Sequence, residues 1–273
     1  MSDYSKFANV NILVEVKDRI ATVTLNRPDR LNAIGPGMED GWREILRTAN
    51  EDPEVGAVII TGAGRGFCSG GDLGGMSQQG SKGQAVPPPR RMGSLLQGPK
   101  YLIQDYLNCE VPIIAAVNGP AAGLGATLAL MCDVIFMADV ARIGDTHVRA
   151  GLVAGDGGAL IWPHLVGPHR AKELLMSGRL IDAQEADKIG LVNRVVPLDS
   201  LMQEATDFAK ELVNGPPLAI RWTKLTINRI LWQTYHSVMD FGLAMEDMTM
   251  GSEDNKEAAR AFVERRTPTF TGR

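Results

Sequence analysis

Three segments carry residue types and spacings that could do chemistry. Two are glycine-rich turns, TGAGRGFCSGGDLGG at 61–75 and NGPAAGLGAT at 118–127, each following an apolar run that reads as a strand. Small residues where a strand feeds a helix leave backbone N–H groups accessible and let a ligand come close. The helix N-terminus also favours negative charge, so such turns can hold an anionic oxygen; equally, they can be no more than tight connections. The third segment, ARIGDTHVRAGLVAGDGG, places His147 and Asp156 nine residues apart. Imidazole is the usual general base near neutral pH, and a carboxylate on its other nitrogen fixes the tautomer and stabilises the cation. Each residue also has a plainer reading, His147 as a satisfied core histidine and Asp156 as a helix N-cap. Asp145 is a further carboxylate candidate, set after Asp156.

The elements that must position these groups follow from periodicity. Apolar alternation over Val10 to Val16 and Ile20 to Leu25, split by Lys17-Asp18-Arg19, predicts a hairpin. Trp42, Ile45 and Leu46 share one face of a helix over 38–49, and Val55 to Ile60 reads as a buried strand. A second cycle runs through a helix at 94–107, a strand at 112–117 and a helix at 123–131, with another strand at 134–138. Repeated strand–helix units with short loops predict a mixed α/β fold. From about Leu198 the pattern is purely helical, so residues 1–197 read as a core domain and 198–273 as a C-terminal helical subdomain. In that part the methionines of 239–250 read as core or interface rather than substrate contacts. The segment 74–98, rich in Gly, Ser, Gln and Pro, has little to bury, and its place after the GGD turn predicts a lid over an entrance.

Composition excludes several classes. The 273 residues are 44% hydrophobic and 22% charged with a formal net charge of −4, which gives no reason to expect nucleic acid or an anionic membrane as partner. No basic, apolar start resembles a signal peptide, and no apolar run reaches the roughly 18 to 20 residues a membrane span needs, so the cytoplasm is the expected location. Three unpatterned cysteines suggest neither a disulfide framework nor a zinc site. No metal or redox cofactor is implied.

The segments NRPDRLNAI (26–34), GRGFCSGGDL (64–73), PIIAAVNGPAAGLGATLALMCDV (112–134), SGRLIDAQEADKIGLVNRVVP (177–197) and AFVERRTPTF (261–270) occur in order. Together they resemble the signature segments of the enoyl-CoA hydratase/isomerase family, the crotonase superfamily, across essentially the whole chain. The resemblance implies an α/β spiral of ββα units with a C-terminal helical region at subunit contacts, and a homotrimer or dimer of trimers. It implies a coenzyme A thioester as substrate, its carbonyl oxygen held by the backbone N–H groups of Gly71 and Leu124, with Gly123 the neighbouring alternative to Leu124. Losing one such donor typically costs on the order of 100-fold or more. It further implies that Arg30 lies near the coenzyme A phosphates and that Phe262 and Arg265 contact the nucleotide end. Gly66, Phe67, Ser69, Asp72 and Leu73 would line the substrate turn.

The chain departs from the family's hydratase pattern at two positions. Family hydratases use two glutamates to position and deprotonate water, and the matching residues here are Thr127 and His147. Threonine is not a carboxylate base. A His147/Asp156 pair is the water-activating device the chain offers instead, with a rate expected to fall as pH drops through a histidine pKa of roughly 6.5. The leading expectation is an atypical enoyl-CoA hydratase-like lyase. The alternatives are a hydrolase that splits a β-dicarbonyl in a retro-Claisen sense, as in the superfamily's β-diketone hydrolase branch, and a catalytically silent acyl-CoA-binding protein. The identity of the acyl group is not written in these residues.

Overall fold

The computed structural model describes residues 2–72 and 94–273. Its opening hairpin pairs β1 (Ile12–Lys17) antiparallel with β2 (Ile20–Leu25). Asp18 and Arg19 both adopt positive φ, as a two-residue turn must to match the twist of the flanking strands. Val10, expected in the first strand, instead closes a 3-10 turn, Ser5–Val10. Helix α1 (Met38–Glu51) buries Met38, Trp42, Ile45, Leu46 and Ala49, a stripe at helical spacing.

Strands β3 (Ala57–Gly62) and β4 (Ile113–Val117) are buried at every residue, as central strands of a sheet covered on both faces are. Helix α2 (Ser94–Asn108) joins them. Beyond β4 come β5 (Ala121–Ala122), α3 (Leu124–Leu130), β6 (Val134–Ala138) and β7 (Arg142–Gly144), then α4 (Gly158–Ser177), β8 (Ile181–Asp182), α5 (Ala183–Lys188) and β9 (Arg194–Val196). The main sheet has six strands in the order β1-β2-β3-β4-β6-β9, parallel from β2 onward. A smaller sheet, β5-β7-β8, lies beside it. Single bridges at Ile34–Gly71 and Cys68–Ala121 stitch the loops into that second layer.

After Pro197 the described chain is a 3-10 turn followed by α6 (Leu201–Asn214), α7 (Pro217–Thr249) and α8 (Glu253–Glu264). Helix α7 packs along α2 and α4, and its Tyr235, Met239 and Leu243 join the same apolar core as the sheet. Of the α7 methionines, Met239 is core and Met248 is exposed. Among the described residues no helix is long and apolar enough to cross a membrane. Most of the expected lid, residues 74–93, lies outside the described residues; from Ser94 the chain is already helical.

Candidate active site

The two glycine-rich turns meet. Cys68 bridges Ala121, and Ala122 donates its N–H to Cys68 O at 2.9 Å. A Cβ on Gly70, which has φ of 91°, would stand 2.8 Å from Ala122 O and 3.6 Å from Leu124 N. Only glycine permits that approach. Gly123 caps α3 at φ 53° and ψ −128°, a conformation open to glycine alone, and this turns the N–H of Leu124 out at the first helical position. The N–H groups of Gly71 and Leu124 donate to no acceptor among the described residues. No described residue lies within 4 Å of where a Gly71 Cβ would be. Two backbone donors with no acceptor among the described residues thus lie on adjoining turns.

The flanking polar residues brace these turns. Asn32, fully buried, donates to Ala63 O and Gly66 O and accepts from Arg27 N. Asn118 clamps Gly62 from both sides and reaches Gly64 O and Gly66 O. Arg27 holds Asp72 at 2.9 Å and Ala33 O at 2.7 Å. Asp72 therefore anchors the GGD turn through Arg27.

His147 stands next to the second turn. A Cβ on Gly123 would lie 3.6 Å from its Cε1 and 3.9 Å from its Nε2, so that edge of the ring borders Gly123. Both ring nitrogens are engaged: Nδ1 with Asp145 Oδ1 at 2.7 Å, Nε2 with Asp156 Oδ2 at 3.1 Å. Asp145, set after Asp156 on sequence, is therefore a partner of the ring. The segment is not extended there; a 3-10 turn begins at His147, and Asp145 Oδ1 also accepts the His147 N–H at 3.1 Å, which folds the side chain back onto the ring. Asp145 is the residue that orients the ring through Nδ1, and Asp156 lies on Nε2. Nor is Asp156 an N-cap: Gly157 occupies that position, with no side-chain cap bond. Burial by itself lowers the His147 pKa, but Asp156 and the bonds to both aspartates outweigh it and hold the imidazole well above its usual 6.5.

Two further buried acids have raised pKa values. Gly155 and Gly242 let α7 lie backbone to backbone against the loop that carries Asp156, and one turn later Glu246 places Oε2 2.9 Å from where a Gly155 Cβ would be. Burial, followed by the charge of Asp156, pushes the Glu246 carboxyl up to about 8, with His147 opposing. Glu39, in the first turn of α1, packs its Oε1 against Gly98 of α2. Burial and then Asp40 raise it to about 7, Asp156 adding to the effect and Arg43 opposing. One oxygen each of Glu39, Asp145, Asp156 and Glu246, and the Thr127 hydroxyl, are buried without a hydrogen-bond partner among the described residues.

The matching family model is enoyl-CoA hydratase/isomerase, over residues 15–273. A short-chain-enoyl-CoA hydratase of Clostridium acetobutylicum is 36% identical over 261 residues, 94% of this chain and 95% of that protein. A crotonyl-CoA hydratase of Syntrophomonas wolfei is 34% identical, covering 95% and 97%. Among solved structures, an enoyl-CoA hydratase from Mycobacterium avium subsp. paratuberculosis K-10 superposes with a TM-score of 0.84 at 31% identity, covering 96% of this chain and 98% of that one. An enoyl-CoA hydratase/isomerase from Pseudoalteromonas atlantica T6c gives 0.85 at 29%, covering 96% and 100%.

The chain belongs to the enoyl-CoA hydratase/isomerase family. Its fold is the crotonase α/β fold, and it is an enzyme of that family, which processes acyl-CoA. Within this family member, Gly71, Leu124, His147, Asp156 and Thr127 come together around one site. Thr127 is fully buried, its methyl against Gly157. Other expected substrate residues fall elsewhere. Phe67 is fully buried in the apolar core, so its ring fills the protein interior and does not line a substrate surface. Gly66 is buried and serves the turn as the acceptor for Asn32 and Asn118. Ser69 spends its hydroxyl on Arg30 O at 3.2 Å, which ties the exposed Arg30 turn to the GGD segment. Phe262 is 71% exposed on α8 and Arg265 closes that helix in a left-handed conformation; α8 packs against the His147–Ala150 turn. Leu73 lies outside the described residues. Sequence reasoning missed Glu39 and Glu246. Each sits in an ordinary helical pattern, and only the close pairing of Gly155 with Gly242 marks the place where α7 delivers its acid.

Proposed function

We propose that the protein adds water across the double bond of an enoyl-CoA, with the His147/Asp156 pair replacing the two glutamates. The observation that carries this is the buried Asp156 Oδ1, without a hydrogen-bond partner among the described residues, beside an imidazole that borders Gly123. In this reading the thioester oxygen rests between the N–H groups of Gly71 and Leu124. His147, held as the cation by Asp145 and Asp156, keeps Asp156 oriented, and Asp156 Oδ1 takes a proton from water as the hydroxide adds to C3. The charge that develops on the thioester oxygen meets the two backbone donors, which need no reorganisation. C2 then takes a proton from the pair, which restores it, and the sum is H and OH across C2=C3. The raised His147 pKa moves the expected acid-side loss of activity away from 6.5 and makes loss of the imidazolium an alkaline limb.

Arg30, exposed at the mouth of the GGD turn, offers a cation for the coenzyme A phosphates. The substrate is the only cofactor-like molecule in the scheme, and a trimer or dimer of trimers in the cytoplasm remains part of the proposal. A second reading, retro-Claisen cleavage of a β-dicarbonyl, is favoured by the absence of a carboxylate at Thr127, because the same pair would deliver water to a ketone. Incubation with a panel of enoyl-CoAs and β-diketones, with products identified by mass, separates the two. His147→Ala and Asp156→Asn should each lose at least ~100-fold in rate on the true substrate. Near-normal turnover by His147→Ala would sink the pair as the water-activating device.

A further inference from the structure

The short parallel ladder that brings the second donor turn to His147 also brings Thr146. Ala122 pairs with Gly144, and Gly123 donates its N–H to Gly144 O at 3.0 Å, so the residues that follow on each side stay close. Asp145 is fully buried, whereas Thr146 is only partly so and comes against Gly123. Its Oγ1 lies 3.4 Å from the point where a Gly123 Cβ would stand, nearer than the Cε1 and Nε2 of His147 at 3.6 and 3.9 Å. Glycine at 123 therefore leaves a hydroxyl and the Nε2 edge of the imidazole bordering one point, a single residue before Leu124. Thr146 also opens the His147–Ala150 3-10 turn, where a threonine commonly spends its oxygen capping the N–H groups ahead of it. Here it makes no cap bond, and its hydroxyl has no partner among the described residues. Only the backbone carbonyl is used, accepting from Arg149 N at 3.0 Å. Thr127 is the contrast: it is sealed from solvent, with its methyl against Gly157.

We infer that Thr146 is a further catalytic residue, whose hydroxyl beside Gly123 and the His147 ring edge orients the water that adds to the substrate. The inference rests on the hydration reading above. A water that gives one proton to Asp156 Oδ1 has a second O–H to place, and a threonine oxygen with both lone pairs unused accepts it. That bond fixes the direction of the oxygen lone pair that attacks C3, which is the service orientation lends to a reaction between two bound partners. The hydroxyl neither gains nor loses a proton. Asp156 takes the proton, hydroxide joins C3, and C2 is protonated from the pair as before. Because the hydroxyl supports no other group, its removal should leave the fold intact.

The test compares two reactions of one site. Hydration of crotonyl-CoA needs the attacking water. Exchange of the C2 protons of butyryl-CoA in D2O, followed by mass, needs the same carbonyl donors and the same His147/Asp156 pair but no attacking water. Thr146→Val keeps the branched shape and removes the hydroxyl. It is expected to lower kcat for hydration by ~10-fold, the value of one hydrogen bond made in the transition state, with KM nearly unchanged. Butyryl-CoA exchange should stay within ~2-fold of the wild type, a change too small for the loss of a hydrogen bond to the reacting atoms. Thr146→Ser, which restores the hydroxyl, should recover most of the hydration rate. Thr146→Ala serves in place of the valine variant if that protein does not fold. Wild-type hydration without the hydroxyl overturns the inference. A parallel fall in exchange and hydration also overturns it, because the hydroxyl would then serve the carbonyl oxygen or the fold rather than the water. A wild-type protein that exchanges butyryl-CoA but does not hydrate crotonyl-CoA removes the role of Thr146 and leaves the thioester site standing. One that does neither removes the hydration reading and the inference with it.

Discussion

Asp145→Asn isolates the residue that the tertiary structure brings into the site. Asp145 Oδ1 accepts the Nδ1–H of His147 at 2.7 Å and the His147 backbone N–H at 3.1 Å, with the side chain fully shielded from water. Asparagine keeps the shape and an acceptor oxygen but removes the charge. A buried hydrogen bond to a charged group is worth about 1.5–3 kcal/mol. Losing it at the atom that orients the ring should lower kcat/KM by roughly 10- to 150-fold, at about 1.4 kcal/mol per decade. The His147 pKa must also fall, because one of the two carboxylates that favour the cation is gone. The sign for stability follows. A histidine whose folded pKa is raised above its unfolded 6.5 contributes stability that is complete below the unfolded value and is lost as pH rises through the folded one. The variant's deficit in unfolding free energy should therefore be largest in acid and narrow in alkali. The assays are the pH profile of kcat/KM on an enoyl-CoA, denaturant unfolding at pH 6 and pH 9, and the Cε1–H resonances of the four histidines. A rate loss under ~3-fold with an unmoved His147 titration would refute the orienting role.

Three further outcomes follow from the geometry. Gly71→Pro removes one free N–H and should abolish turnover in a folded protein, whereas Gly71→Ala keeps the donor and has open space for its Cβ; circular dichroism and kinetics separate them, and full activity of the proline variant would remove Gly71 as a donor. Gly158→Ala would drive a methyl into Asp145 Oδ2 at the start of α4, an overpacking that should cost about 1–3 kcal/mol and depress activity; wild-type stability by denaturant melting would show that the carboxylate yields freely. Glu246→Gln should raise stability more at pH 8 than at pH 5. A buried acid with its pKa raised from 4.5 to about 8 loses folding free energy as pH climbs between those values, and glutamine does not; thermal melts at the two pH values check it, and an equal shift at both would contradict the reasoning.

Much of this protein was legible in the chain. The apolar runs at 57–62 and 113–117 became fully buried parallel strands, and the period of 38–51 became an amphipathic helix, because burial on a sheet or helix face is written in local periodicity. The family resemblance pointed to Gly71 and Leu124 as donors, and in the structure glycine at 70 and 123 allows the backbones of the two turns to meet. The ordered motifs identified the family. Tertiary structure alone decided which carboxylate holds which nitrogen of His147. Positions two apart share a face on a strand, so spacing by itself did not separate Asp145 from Asp156; the contact of Asp145 Oδ1 with Nδ1 shows that Asp145, not Asp156, orients the ring. Phe67 shows the same limit from the other side: its place in the GFCSGGD motif suggested a substrate contact, and packing sent the ring into the core. Glu39 and Glu246 were invisible for a related reason. They are distant in sequence from His147; only the contact of α7 with the Asp156 loop sets Glu246 beside Gly155, and only the contact of α1 with α2 buries Glu39 against Gly98.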